Sequence, residues 1–265
     1  MITIKIEYER FIKNSLDIFK SDTRLIGLAA AGSYITRDMD EYSDLDLVIA
    51  VEPGSASEIM HERIKIANKL GNLISAFTGE HVGEPRLLIC LYHDPLIHVD
   101  LKFVSLNDMA HRVEELEILW ERDRLLTEKF QEEKAIFPNP DLQWIEDRFW
   151  TWIHYGAGKI GRGEIFETIE FISFLRQMVI GPLILLSKGK QPRGVRKIET
   201  VAPEYLDRLK QTIVSYDRKV CCEALKVIIE LYKELRDIHR FEGFIFNGQA
   251  EQIVREYLKQ IEVNC

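Results

Sequence analysis

The stretch LAAAGSYITRDMDEYSDLDLVIAV, Leu28 to Val51, decides how this chain is read. It holds a Gly32-Ser33 pair, ten intervening residues, and two aspartates one residue apart, Asp44 and Asp46. Asp-Leu-Asp runs into Leu-Val-Ile-Ala-Val, an apolar and partly β-branched run that predicts a buried strand. Side chains alternate between the faces of a strand, so Asp44 and Asp46 share one face and Leu45 and Leu47 take the other. Two carboxylates held that close repel each other. A hard cation relieves them, and Mg²⁺ is the usual one beside phosphates.

Working upstream, Arg24 to Ala31 reads as a strand that ends at Gly32-Ser33. Glycine lets the backbone come close to a ligand. A helix starting there would offer free N–H groups and its positive dipole end to an anion. The serine hydroxyl adds a donor for a phosphate oxygen. Strand, Gly-Ser, short helix, turn and second strand together predict a triphosphate cradle facing a metal clamp.

Working downstream, Arg86 to Tyr92 reads as a strand, His93-Asp94-Pro95 as a turn, and Leu96 to Val104 as the next strand. His98, Asp100 and Lys102 fall on one face of it. Ile97, Val99, Leu101 and Phe103 fall on the other. Taken alone, the polar set describes the wet face of an edge strand.

Gly32-Ser33, ten residues, then Asp44-Leu45-Asp46 resembles the signature of the nucleotidyltransferase superfamily that includes polymerase beta. With Asp40, Tyr42 and Ser43 leading into the pair, the string is similar to the bacterial antibiotic nucleotidyltransferases, which modify aminoglycosides and lincosamides. Many members carry a glycine where this chain has Arg37. The resemblance implies an α/β (α+β) head with a mixed sheet, followed by an all-α helical bundle. It implies that Asp44 and Asp46 are catalytic metal ligands, and that Asp100, on the strand beside them, is the third. A two-metal site needs a carboxylate on each side of the transferring group, which favours that role for Asp100. It further implies that Gly32 and Ser33 bind the β- and γ-phosphates of ATP or another nucleoside triphosphate, with two Mg²⁺ ions. Trp120-Glu121-Arg122-Asp123, Arg148-Phe149-Trp150 and Gly161-Arg162-Gly163-Glu164 look like further recurrent segments of such enzymes.

Composition agrees with a globular enzyme: 265 residues, 46% hydrophobic, with a net charge of −8. That charge argues against gripping long nucleic acid through its backbone. It leaves room for a cationic small-molecule acceptor. The four cysteines (Cys90, Cys221, Cys222 and Cys265) show no metal-ligand spacing and read as reduced thiols of a cytoplasmic protein. Met1 to Lys20 is charged and amphipathic, unlike a signal peptide. The longest apolar stretch, Val179 to Leu186, is interrupted by Gly181-Pro182 and reads as too short to span a bilayer. No membrane partner is expected, and a homodimer stays open.

The character of the chain changes once. Ile4 to Lys20 and Ser57 to Phe77 read as helices, and Ser105 to Trp120 as a helix capped by Ser105 or Asn107. Ile118-Leu119-Trp120 has an alternative reading as a short strand. Phe137-Pro-Asn-Pro140 breaks any element and divides the chain into 1–137, a catalytic domain, and 138–265, a helical substrate-binding domain. Beyond it, Leu142 to Ile160, Glu164 to Leu186, Pro203 to Tyr216, Lys219 to Ile238 and Gln249 to Glu262 predict five antiparallel helices.

In this half, steps of four and three put Tyr155, Lys159 and Arg162 on one helix face. Lys159 and Arg162 are candidates for holding the triphosphate. His154 and Tyr155 are candidates for a base or an acceptor contact. The same residues also describe an ordinary solvated face. Lys188 to Lys197 is a basic loop made flexible by its glycines, free to contact phosphate or to fold on the protein. Trp144, Phe149, Trp150 and Trp152 have the spacing of core packing.

The expected activity is attack by a small-molecule hydroxyl on the α-phosphorus of a nucleoside triphosphate, releasing pyrophosphate. Two alternatives remain: AMP transfer to a protein, as in antitoxin-like nucleotidyltransferases, and a non-catalytic nucleotide sensor.

Overall fold

The structure is a computed structural model that describes residues 2–264, with side chains from residue 6 onward. The chain divides into two compact units, Met1–Phe137 and Pro138–Cys265.

The first unit is built on a six-stranded mixed sheet in the order β3-β4-β5-β2-β1-β6. Its strands are β1 (Leu25–Ala30), β2 (Leu45–Val51), β3 (Asn72–Gly79), β4 (Glu84–His93), β5 (Ile97–Ser105) and β6 (Glu117–Glu121). The β2–β5 pair is parallel and the other pairs are antiparallel. Helices α1 (Ile2–Ser21) and α3 (Ala56–Leu70) cover one face of the sheet. Leu45, Leu47, Val99 and Leu101 point into that core beside Phe11, Phe19 and Ile59. The opposite face carries a smaller core in which Ala29, Val48, Ala50 and Val104 meet Met109 and Leu126 of α4 (Leu125–Glu132). Alternation along β2 and β5 therefore sorts their leucines to one side and leaves their acids on the other. The one-turn helix α2 (Ser33–Thr36) follows β1.

Two helix predictions in this unit are corrected. The helix expected over Ser57 to Phe77 stops at Leu70, and Asn72–Gly79 becomes edge strand β3. Gly71 ends the helix, and Ile74, Phe77 and Thr78 supply the β-branched and aromatic content that pairs with β4. The helix expected over Ser105 to Trp120 is a single 3₁₀ turn, Leu106–Asp108, then an irregular strap, 109–116, and then β6. Here tertiary bonds replace helical ones. The Arg112 guanidinium donates to the carbonyls of Ala110 (3.3 Å), Phe130 (3.3 Å) and Glu133 (2.8 Å), so it also caps the C-terminus of α4. Ile118, Leu119 and Trp120 do form a strand, paired with β1.

The second unit is helical: α5 (Leu142–Arg162), α6 (Ile165–Leu175), α7 (Gly181–Ser187), α8 (Ile198–Val201), α9 (Leu206–Lys210), α10 (Arg218–His239) and α11 (Gly248–Val263). Asp141 and Asp217 cap α5 and α10 by accepting from the backbone N–H of Trp144 and Val220, both at 2.9 Å. The expected helix over Pro203 to Tyr216 is shorter: a 3₁₀ turn and α9 end at Lys210. Arg176 donates to the Thr212 carbonyl (2.7 Å) and hydroxyl (3.1 Å), drawing the chain into a turn there.

Gly181-Pro182 does not interrupt the apolar helix. A π turn over Arg176–Ile180 joins α6 to α7, with the Gly181 N–H donating to the Arg176 carbonyl. The wider turn absorbs the strain a proline would put on a regular helix. The resulting 23-residue segment Ile165–Ser187 is long and apolar enough to cross a membrane by length and composition, yet half of its most apolar window is buried inside the protein. It packs on α5 and α10, as a central bundle helix does. The basic loop is not loose: Pro192 is buried, and a Cβ on Gly181 would lie 2.3 Å from the Gly194 carbonyl oxygen. Phe149 and Trp150 are core residues, while Trp144 is half exposed and meets Trp152 edge-on at 5.6 Å. Cys90, Cys221 and Cys222 are buried, and Cys265 lies outside the described residues. Burial pushes the Cys90 thiol up to about 12, which keeps it inert.

Candidate functional site

The parallel register of β2 and β5 sets Asp46 directly opposite Asp100. Residues opposite each other share a face, so both carboxylates leave the sheet on the side away from α1 and α3. Asp44 sits one residue before β2 begins. One carboxylate oxygen each from Asp44, Asp46 and Asp100 lie within 4.8 Å of one another. All three side chains are partly buried. Asp100 titrates above the ordinary aspartate range because burial penalises its charge and Asp44 adds to the penalty. His98 acts in the opposite sense, with its Nε2 2.9 Å from Asp100 Oδ1.

The Gly32-Ser33 turn abuts these acids. The Ala31 N–H donates to the Asp46 carbonyl at 3.0 Å. Gly32 has φ 59° and ψ −136°, a conformation essentially reserved for glycine. A Cβ there would stand 2.1 Å from Asp46 Oδ2. Glycine is therefore required twice, by its dihedrals and by the carboxylate lying over it. Ser33 Oγ is buried and has no hydrogen-bond partner. Buried hydroxyls are normally paired, so this one is a donor with its hydrogen-bonding capacity unspent. The helix that follows is a single turn and contributes little dipole.

The loop leading into Asp44 is locked by its own side chains. Asp40 Oδ1 accepts from the Tyr42 N–H and the Ser43 hydroxyl, both at 3.0 Å, and Ser43 Oγ accepts from the Asp40 N–H at 2.9 Å. Arg37 adopts the left-handed conformation (φ 61°), which glycine takes up more easily than any other residue. Its guanidinium holds both Glu117 oxygens, at 2.9 and 3.1 Å. Sequence reasoning missed Tyr8. Its hydroxyl donates to the Ser43 carbonyl next to Asp44, and burial, then Asp44, Glu7 and Asp40, raise its pKa. The only signal for it was its place on the apolar stripe of α1.

A cavity of about 330 Å³ opens on the same sheet face, with Asp46 and Asp100 in its wall. Lys102, expected beside Asp100, lines it and is 2.7 Å from Glu84. Arg86 and Lys102 together hold the Glu84 carboxyl down at about 2.

The helical candidates lie in the second unit. Lys159 Nζ is 2.6 Å from Glu164 and 2.9 Å from Glu167. The Tyr155 hydroxyl donates to Glu167. Arg162 is 72% exposed and 3.9 Å from Glu164. His154 stacks on Tyr257 of α11, ring centres 4.7 Å apart. The shared face of Tyr155, Lys159 and Arg162 is thus organised around two glutamates, which take up the lysine charge.

No protein-family model matches the chain, and no curated protein matches it. Among solved structures, a nucleotidyltransferase-like protein from Exiguobacterium sibiricum 255-15 aligns over 95% of this chain and 87% of that chain, at 15% identity and a TM-score of 0.41. A likeness of that size leaves the functional reading to the residues themselves.

Proposed function

We propose that this chain transfers a nucleotidyl group, adenylyl by preference, from a nucleoside triphosphate to a hydroxyl of a small molecule. The observation that carries the reading is the convergence of Asp44, Asp46 and Asp100 within 4.8 Å, beside a glycine whose place no other residue can take and a serine hydroxyl left unpaired. Three hard oxygen donors at that spacing suit Mg²⁺. Bound there, two such ions would neutralise the triphosphate and lower the pKa of the acceptor hydroxyl.

The chain's own residues supply the rest. Ser33 donates to a phosphate oxygen of the leaving pyrophosphate, and the backbone at Gly32 lets that group come close. The acceptor oxygen forms a bond to the α-phosphorus while the bond from that phosphorus to the bridging oxygen of the β-phosphate breaks, and pyrophosphate departs. The acceptor proton passes to Asp100, which stands in the wall of the cavity beside the other two acids. His98 holds one Asp100 oxygen and so fixes the direction of the other. Positioning and charge neutralisation then account for most of the acceleration.

The test is Asp44→Ala. Pyrophosphate release from Mg-ATP falls by about a hundredfold to a thousandfold, the scale of losing a principal electrostatic group, while circular dichroism stays that of the parent. Full activity in the folded variant rules the reading out.

A further inference from the structure

The cavity beside the acids has a direction. Its wall includes Asp46 and Asp100, then Val48, Lys102 and Val104, the next residues on the same faces of β2 and β5. Gly32, Ser33 and Asp44 are not in its wall. The phosphate turn stands at the start of β2, and the cavity runs from the acids toward the strand's other end. Leu87 of β4 and Val113 of the strap close its sides. In an in-line displacement the nucleophile and the leaving group stand on opposite sides of phosphorus. With pyrophosphate at Gly32-Ser33, the nucleophile comes from the cavity side.

The cavity's chemistry narrows what it holds. Away from the catalytic acids its wall has three carboxylates and three cations. Glu84 binds both Arg86 (2.7 and 2.8 Å) and Lys102 (2.7 Å). Arg112 is committed to Glu115 at 2.6 Å and to backbone carbonyls. A polycation would find Glu84 already engaged twice over, Asp108 acting on Arg86 and Glu114 with a partner of its own, while Leu87, Val104, Met109, Val113 and Leu116 give the wall its apolar part. Its volume lies at the small end of the range for small-molecule sites.

Resting on the function proposed above, we infer that this cavity in the α/β unit is the acceptor site, and that it takes a small uncharged molecule bearing a hydroxyl, presented to the α-phosphorus past Asp100. This differs from a polycationic acceptor, which the net charge of the chain had left open.

The test uses the full chain carrying Val113→Cys, a half-exposed strap position, before and after modification with N-ethylmaleimide, whose neutral adduct occupies the cavity. Wild-type protein treated in the same way is the reference. Calorimetry measures binding of Mg²⁺ with α,β-methylene-ATP. Pyrophosphate release from Mg-ATP is followed with a panel of neutral aryl alcohols, chloramphenicol among them, and with kanamycin as the polycation. The expected result is nucleotide affinity within twofold in both forms, and alcohol-stimulated release that falls at least tenfold on modification. Three results overturn the inference while leaving nucleotidyl transfer intact: modification abolishes nucleotide binding, stimulated release survives modification, or no neutral alcohol stimulates release, whether or not kanamycin does. Failure of the unmodified protein to bind the nucleotide at all overturns the proposed function itself, and this inference with it.

Discussion

Two regions of the molecule bury carboxylates in opposite ways. In the helical unit Glu146 is fully buried and surrounded by donors. The Tyr232 hydroxyl reaches it at 2.6 Å, the Asn247 N–H at 3.0 Å, the Trp150 indole at 3.2 Å and Arg236 at 3.4 Å. One acid ties α5, α10 and the start of α11 together. In the α/β unit Asp44, Asp46 and Asp100 converge on one another, and burial first, with Asp44 adding to it, raises the pKa of Asp100. A carboxylate kept for structure is given its donors by the fold. Carboxylates set against each other carry a cost to stability, which a bound cation would offset under the proposed function.

The largest effect expected from this contrast is at Glu146. Replacing it with alanine strips Tyr232, Trp150 and the Asn247 N–H of their acceptor, leaves buried Arg236 with Glu251 as its remaining close carboxylate, and costs about 3–5 kcal/mol by chemical denaturation. Tyr232→Phe removes a single bond to the same acid and costs about 1–2 kcal/mol. Asp44→Asn has the reverse sign: without metal it raises the melting temperature of the α/β unit by about 2–4 °C, since one of the repelling charges is gone. Mg²⁺ then stabilises the wild type more than the variant. A loss of stability in metal-free Asp44→Asn would mean that the acids are structural, like Glu146.

The pH dependence separates two acids of the same sheet. Glu84 has its pKa depressed to about 2, by Arg86 first, so its contribution is present above the unfolded value near 4.5 and is lost as pH falls toward 2. Asp100 has its pKa raised, so its contribution favours folding below its unfolded value and is lost as pH rises through its folded pKa. Stability measured between pH 2 and 7 in metal-free buffer should show Glu84→Gln flattening the acid limb. Asp100→Asn should gain on the parent toward neutrality. Equal and parallel curves for the two variants would contradict the assignment. The smallest effect is at Arg37. Its left-handed backbone favours glycine, while its exposed ion pair with Glu117 is worth little, so Arg37→Gly changes the melting temperature by about 2 °C or less.

How much of this could be read from residues alone follows the range of the forces involved. That Asp44 and Asp46 share a face was legible because a strand's two-residue period is a local fact, whereas Asp100, whose strand taken alone reads as a wet face, was singled out only through the resemblance. The parallel pairing that puts Asp46 against Asp100 needed the sheet. Edge strand β3 was lost to the helix before it, because Asn72–Gly79 is largely exposed and carries no clean alternation. The 109–116 strap was unreadable for a different reason: its backbone is satisfied by one arginine reaching across to α4. Pro182 was read as a break because the π turn that accommodates it is a packing outcome. Tyr8 was visible as a buried position on α1, but its hold on Ser43, 35 residues away, was not.

The proposed function requires the three aspartates to form a place for divalent metal. Calorimetric titration of Mn²⁺ into the protein saturated with α,β-methylene-ATP tests it most directly. Two bound ions per chain, with the binding abolished in Asp46→Asn, is the expected result. Titration heats that show no bound ion, or ions that bind Asp46→Asn as tightly as the parent, would contradict it.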